Sequence, residues 1–252
     1  MIGPENLKNF IIVWILFALI LFPILLFVKQ PYGRHYRKGW GPTISNRSGW
    51  VLMEIPSLLI FGYFLIDFQN YPVVAIILLL LWLVHYFNRT LVFPFKIKTK
   101  GKKIPVIIIL FGIIFNVVNA YINGIAVSET TDYDTLEMND FMRIGIGFIL
   151  FVIGMIINIK SDNLLISLRK TSTNGYQIPN RGFFRWVSCP NYMGEIMEWI
   201  GFAIMAWNLA ALSFLIWTIV NLVPRALDHH KWYLQYFKDY PRNRKAIIPY
   251  FL

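Results

Sequence analysis

The chain has little cysteine, little histidine and little charge, and each shortage removes a class of function. Cys189 is the one cysteine in 252 residues. An intramolecular disulfide framework and a paired-thiol redox or metal motif are therefore excluded. Histidine occurs four times. His229-His230 is the only pair, and no histidine spacing suits a zinc site, so no metal is expected. A Gly-x-Gly-x-x-Gly turn and a Walker loop are both absent, which excludes the usual Gly-rich phosphate cradles. A bound nucleotide would instead be gripped by scattered Arg, Asn, Asp and Tyr side chains from several helices. No internal repeat or low-complexity segment appears, which counts against a transporter built from repeats. Charged residues are only 15% of the chain while 57% is hydrophobic. A soluble domain of this length carries more charge.

The apolar residues come in runs long enough to cross a bilayer, which takes about 20 residues of helix. Segment 10–28 (FIIVWILFALILFPILLFV) has no charge. It is long for a signal-peptide core and lacks a small-residue cleavage site, so a retained first helix is expected. Further helices are expected at 51–67, 73–94, 104–127, 141–160, 191–207 and 209–224, the last two divided only at Asn208. The net charge of +11 suggests nucleic acid at first sight. The basic residues, however, lie beside the spans, where they set topology and attract anionic lipid or phosphate. Lys29, Arg34, Arg37, Lys38 and Arg47 follow the first run, and Lys96, Lys98, Lys100, Lys102 and Lys103 follow the third. Segment 160–190 and the tail from Arg225 are also basic, whereas 128–140 carries Glu129, Asp132, Asp134, Glu137 and Asp140 without a base. Seven helices put all the basic segments on one side. The expectation is an all-α integral membrane protein with seven transmembrane helices, N-terminus outside and C-terminus cytoplasmic.

Polar residues at membrane depth carry the functional information, because an ionisable group there costs several kcal/mol and needs a partner or a purpose. Glu54 opens a long apolar run, and His85, Tyr86 and Arg89 fall late in the third helix. Asn191, Glu195 and Glu198 form a stripe at helical spacing. Asn158, Asp162, Leu165 and Arg169 also repeat at helical spacing, as do Arg225, His229 and Tyr233. Each has a bland reading. The glutamates would serve interhelical salt bridges, Tyr86 would be an interfacial aromatic, the Asn158 series a capped and solvated face, and the Arg225 series a snorkelling one. A single polar chamber open to the cytoplasm accounts for them together.

Three stretches then resemble the steroid 5α-reductase family closely: GMIINIKSDNLLISLRK (154–170), YQIPNRGFFRWVSCPNYMGEIMEWIGFAIMAWN (176–208) and RALDHHKWYLQYFKDYPRNRKAIIPYFL (225–252). MEIPS around Glu54 and HYFNRTLVFP around Tyr86 match more weakly. The resemblance implies a single membrane-embedded reductase domain over 1–252, with substrate-side helices in 1–100 and mainly an NADPH-binding half in 101–252. It implies cofactor contacts from Asn158, Asp162, Leu165, Arg169, Tyr176, Asn191, Glu195, Arg225, His229 and Tyr233. Glu54 and Tyr86 would hold the substrate's C3 carbonyl and act as catalytic groups, with Met53 beside them. Three departures stand out: Met53 replaces a Gln, Arg181-Gly182 replaces Gly-Gly, and Asp228 replaces the first His of a His-His-His run.

The expected activity is hydride delivery from NADPH to C5 of a Δ4-3-ketosteroid. The expected setting is a multi-pass protein of the bacterial inner membrane or endoplasmic reticulum, monomeric, with no nucleic-acid partner. Its partners would be a hydrophobic steroid and the lipid bilayer. Rival expectations are an isoprenylcysteine methyltransferase-like enzyme using S-adenosylmethionine, a reductase of another enone, enoyl-CoA or polyprenol, and a seven-helix receptor or transporter.

Overall fold

The computed structural model describes residues 3–28, 36–37, 39–66, 71–99, 101–129, 137–171 and 176–252. Lys29, Arg34, Lys38, Lys100, Asp132 and Asp134 lie outside the described residues. All seven expected helices are present: α1 (Pro4–Phe27), α2 (Asn46–Phe64), α3 (Val73–Lys96), α4 (Val106–Ser128), α5 (Met138–Thr171), α6 (Pro190–Ala206) and α7 (Leu209–Tyr236). Five of them, α1, α3, α4, α5 and α7, are long and apolar enough to cross a membrane. Their outward faces carry exposed Ile20, Leu80, Leu110, Phe148 and Ile149, as lipid-facing helix surfaces do.

Several boundaries differ from the sequence reading, each for a local reason. α5 runs eleven residues past the end expected at 160, to Thr171. Its last three turns are polar but still helical, so Asp162 and Arg169 stand on the helix rather than in a basic loop. α7 continues through the internal Pro224 to Tyr236. Proline within a packed membrane helix is tolerated because neighbouring groups take up the freed backbone carbonyl. The break between α6 and α7 is made by two residues. Trp207 adopts a left-handed φ of 47° and ends α6, while the Asn208 side chain accepts a 2.9 Å hydrogen bond from the Ala211 N–H and caps α7. Near its end α3 widens into a π-helical turn over Asn88–Val92. A short antiparallel pair, β1 (Thr43–Ser45) and β2 (Lys103–Pro105), ties the entrances of α2 and α4 together.

The closest helix pair is α5 with α6. A Cβ added to Gly154 would lie 2.5 Å from Glu198 N and Gly194 O, and one added to Gly201 would lie 2.5 Å from Gly147 O and Phe151 N. Gly147 and Gly154 on α5, with Gly194 and Gly201 on α6, thus bring two backbones into contact along a shared seven-residue spacing. Small residues at membrane helix interfaces permit this approach. An aromatic core binds the other helices. Phe61 of α2 stacks on Trp82 of α3 at 4.0 Å, and Phe214 of α7 lies 4.7 Å from Trp82 and 4.5 Å from Trp199 of α6. α1 docks on α7 through Trp14 and Trp217, 4.6 Å apart.

The C-terminal tail folds back on the segment that leads into α6. Ser188 N–H donates to Lys245 O at 2.8 Å, Cys189 N–H to Ala246 O at 3.0 Å, and Lys245 N–H to Trp186 O at 3.0 Å. Buried Arg244 donates to Pro179 O and Asn180 Oδ1 at 2.8 and 2.9 Å. These bonds set where α6 begins and therefore where Asn191 points. In the same segment Gly182 has a φ of 57°, whereas Arg181 sits at an ordinary φ of −123°. Only the second residue of that pair needs glycine, which explains why Arg181 is accommodated.

Gly154→Ala is expected to lower the unfolding free energy by about 1–3 kcal/mol, read as a reduced thermal midpoint in detergent. Gly145→Ala, where nothing lies within 4 Å of the added carbon, should leave the midpoint unchanged.

Candidate active site

Two cavities meet around one buried arginine. The larger, about 610 Å³, is walled mainly by apolar side chains of α1, α4 and α7, including Phe17, Phe111, Phe115, Phe214 and Trp217. Its polar side carries Glu54, Tyr86, Asn116 and Glu195. The smaller, about 170 Å³, is lined by Asp162, Leu165, Arg169, Asn191, Arg225, His229 and Tyr233, with Lys98 and Lys102 from the connection after α3. Trp50, Arg89 and Arg225 line both.

Arg89 is placed by the π turn of α3. One guanidinium nitrogen lies 3.9 Å from Asp162 of α5 and another 4.0 Å from Glu195 of α6. Glu54 of α2 adds a third acidic neighbour. The ring of Trp50 lies 5.0 Å and that of Phe93 5.2 Å from the guanidinium carbon. The widened turn leaves the Arg89 carbonyl to accept from Trp50 Nε1 at 3.1 Å, a local departure of the kind that π turns make at functional sites.

The carboxamides of the two glycine-paired helices interlock. Asn158 Nδ2 donates to Asn191 O at 3.0 Å and to Glu195 Oε2 at 3.3 Å. Asn191 Nδ2 donates to Asp162 Oδ1 at 3.0 Å. Tyr192 OH and His229 Nε2 are 3.1 Å apart, joining α6 to α7. Tyr176 lies under two cations, 5.6 Å from the Arg169 guanidinium carbon and 6.0 Å from Lys102 Nζ.

On the polar side of the larger cavity, Tyr86 OH and Ser57 Oγ both donate to Asn116 Oδ1, at 3.3 and 2.9 Å. Asn116 Nδ2 donates to Met53 O at 2.7 Å and Glu54 Oε2 at 3.4 Å. The Met53 side chain fills the notch left by Gly112, where a Cβ would collide with its Cγ and Sδ. Behind this wall His85 Nδ1 meets Glu198 Oε2 at 2.6 Å, with the glutamate fully buried and the histidine side chain 5% exposed.

The structure therefore gathers the residues singled out from the sequence into one connected region. Glu54, Tyr86, Met53 and Glu195 face the larger cavity, and Asp162, Leu165, Arg169, Asn191, Arg225, His229 and Tyr233 face the smaller. Asn158 and Tyr176 line neither; they hold residues that do. Glu198 is absorbed by His85, the interhelical pairing that the bland reading anticipates. Among the described residues no group of three metal-ligating side chains occurs.

Comparison with known proteins decides the family. The family profile described as 3-oxo-5-alpha-steroid 4-dehydrogenase matches residues 102–252. Steroid 5-alpha-reductase DET2 of Solanum lycopersicum is 43% identical over 98% of both chains. The chain belongs to the 3-oxo-5-alpha-steroid 4-dehydrogenase family. Steroid 5-alpha-reductase DET2 of Arabidopsis thaliana is 42% identical, over 90% of this chain and 89% of its own. The 3-oxo-5-alpha-steroid 4-dehydrogenase 1 of Homo sapiens is 39% identical, over 87% of this chain and 85% of its own. Membership makes the chain an oxidoreductase acting on a CH–CH group, and its apolar helices make it a multi-pass membrane protein. The family resemblance expected from the motifs holds, and it extends into the N-terminal half.

Asn116 is the site residue missing from the sequence reading, and the cavity-lining Trp50, Lys98 and Lys102 received no role there. The signal for Asn116 was present: Asn116, Asn119 and Asn123 interrupt an apolar run, and polar groups at membrane depth need a reason. Asn119 and Asn123 donate within their own helix, to Phe115 O and Asn119 O at 2.8 and 3.0 Å, and Asn119 Oδ1 accepts from Trp14 of α1 at 3.3 Å. Asn116 reaches across to two other helices.

Removing one member of a buried hydrogen-bonded pair strands the other. Glu198→Ala is expected to lower stability by about 3 kcal/mol, and a His85→Leu/Glu198→Leu double substitution should recover most of it. Chemical unfolding in detergent reads both.

Proposed function

We propose that the chain reduces the C4=C5 bond of a Δ4-3-ketosteroid, with NADPH in the smaller cavity and the steroid in the larger. The observation that carries this reading is the shared wall: one cavity is basic and polar, the other apolar with a phenol and a carboxyl on one side, and Arg89 borders both.

The smaller cavity suits a phosphorylated dinucleotide. Arg169 and Arg225 offer bidentate pairing to phosphate, and Lys98 and Lys102 add point charges. Asp162 and Asn191 offer hydrogen-bonding groups to the sugar and amide portions. Bound NADPH would supply the hydride. The protein's part is to hold the acceptor carbon in line and keep water away.

Hydride addition at C5 of a conjugated enone moves negative charge to the C3 oxygen, and that charge must be stabilised where it develops. Tyr86 OH is the donor for this oxygen. Glu54, tied to Tyr86 through Asn116, orients the phenol or, in its acid form, donates a second hydrogen bond. Protonation at C4, from solvent, completes the saturated ketone. The phenol stands on a rigid aromatic base, with Trp82 5.1 Å from its ring.

All seven helices cross the membrane in this reading. α2 and α6 are the shorter ones and carry Glu54, Glu195 and Glu198, whose charges face inward and so lower their hydropathy without exposing charge to lipid. Basic residues around the smaller cavity support a cytoplasmic opening for it, with the N-terminus outside and the C-terminus inside. The whole chain forms one reductase domain. The steroid enters from the bilayer between α1 and α4, where Phe17, Leu21, Phe111 and Ile114 line the larger cavity.

Purified protein should oxidise NADPH with progesterone or testosterone and give the 5α-reduced product, identified by its stereochemistry at C5. Binding of S-adenosylmethionine in place of NADPH would overturn the reading in favour of a methyltransferase. Tyr86→Phe should reduce turnover by about 100- to 1000-fold with NADPH affinity kept; near-normal turnover would remove Tyr86 from the chemistry.

A further inference from the structure

We propose that Asn116 is a positioning residue for the reduction, holding the Tyr86 phenol and the Glu54 carboxyl as one unit and keeping the phenol proton available to the ketone. The proposal rests on the function given above and adds to it a residue that no motif carries.

The orientation of the Asn116 carboxamide is set by its surroundings. Met53 O is a backbone carbonyl and only accepts, so the atom 2.7 Å from it must be the NH₂ nitrogen. The second N–H of that group faces Glu54 Oε2 at 3.4 Å. Oδ1 is then an acceptor with two donors in reach, Ser57 Oγ at 2.9 Å and Tyr86 OH at 3.3 Å. The side chain is 3% exposed, so its hydrogen bonds come from protein rather than bulk water. Three helices are braced through this one amide: α2 by Met53, Glu54 and Ser57, α3 by Tyr86, and α4 by Asn116 itself.

The two donors to Oδ1 are unequal, and the inequality has a chemical use. The shorter Ser57 bond satisfies the oxygen permanently. The longer Tyr86 bond, at 3.3 Å, is weaker, since O–H···O bonds ordinarily span about 2.5–3.0 Å. When a ketone oxygen reaches the cavity wall, the single phenol hydrogen can turn to it, and Oδ1 is left with the Ser57 donor rather than stranded. Before that, the same bond keeps the hydroxyl from pairing with the nearby Glu54 carboxyl. An Asp at this position would lose both donors that restrain α2, and an apolar residue would remove the acceptor that holds the phenol.

A double-mutant cycle on the full-length protein in detergent separates positioning from a merely structural role. Asn116→Leu should lower kcat by about 10- to 100-fold in the wild-type background, with NADPH affinity and KM little changed and the thermal midpoint lowered by the lost interhelical bonds. In the Tyr86→Phe background the same substitution should change kcat by less than about twofold, measured by mass-spectrometric product detection. Equal losses in the two backgrounds overturn the role of Asn116 and leave the reductase reading standing. Wild-type protein that does not reduce the enone, or normal turnover by Tyr86→Phe, overturns the reading and this proposal with it. Should Asn116→Leu lose NADPH binding, Asn116→Ala is scored by the same cycle and the same criterion.

Discussion

A guanidinium buried between helices has to be neutralised, and around Arg89 that requirement organises the molecule. Its acidic neighbours come from three different helices, Glu54 on α2, Asp162 on α5 and Glu195 on α6. Asp162 and Glu195 stand at 3.9 and 4.0 Å from the guanidinium, too far for a tight ion pair. The charge is shared rather than owned, and the indole of Trp50 and the ring of Phe93 supply its remaining cover. Moving any one of these helices away would leave a charge uncompensated in a low-dielectric interior, which is expensive. The cation also borders both cavities, so the constraint that holds the bundle together marks the plane where the two proposed ligands meet.

Two kinds of packing make that arrangement possible. Between α5 and α6, glycines remove the side chains that would otherwise keep the axes apart, and the resulting backbone contact brings Asn158 within reach of both Asn191 and Glu195. Elsewhere the opposite strategy applies. Large rings from α2, α3, α6 and α7 interlock around Trp82 and Trp199, giving a stiff floor beneath Tyr86. Lipid offers apolar side chains no hydrophobic incentive to leave it, so van der Waals fit and interhelical hydrogen bonds have to provide cohesion. The tail adds a third fastening, since its backbone pairing with 186–189 places the first turn of α6 at the edge of the smaller cavity.

Much of this was legible along the chain. Helix number and approximate position follow from apolar runs whose length matches a bilayer. The stripes Asn158/Asp162/Arg169, Asn191/Glu195 and Arg225/His229/Tyr233 follow from helical spacing, because residues three, four or seven apart share a face. Their ends were harder. The last turns of α5 and α7 are amphipathic and polar, so hydropathy stops where the apolar run stops while the helix goes on. Asn116 escaped attention for a different reason. Next to Asn119 and Asn123, whose amides donate within their own helix, it looks like one of several polar residues of one run, and its neighbours on α2 and α3 distinguish it.

The amino-acid sequence by itself determined that this protein lives in a bilayer, that it lacks the Gly-rich cradles for nucleotides, and which family it joins, because composition, run length and motif are properties of the chain read in order. The tertiary structure alone decided which polar residues share a cavity and which merely pair with one another. Glu195 and Glu198 are three residues apart on one helix, yet Glu195 opens on the larger cavity while Glu198 is spent on His85. A helix face spans enough arc for its neighbours to meet different partners, and those partners come from segments far away in sequence. Which carboxyl faces a cavity is therefore a matter of packing, not of spacing.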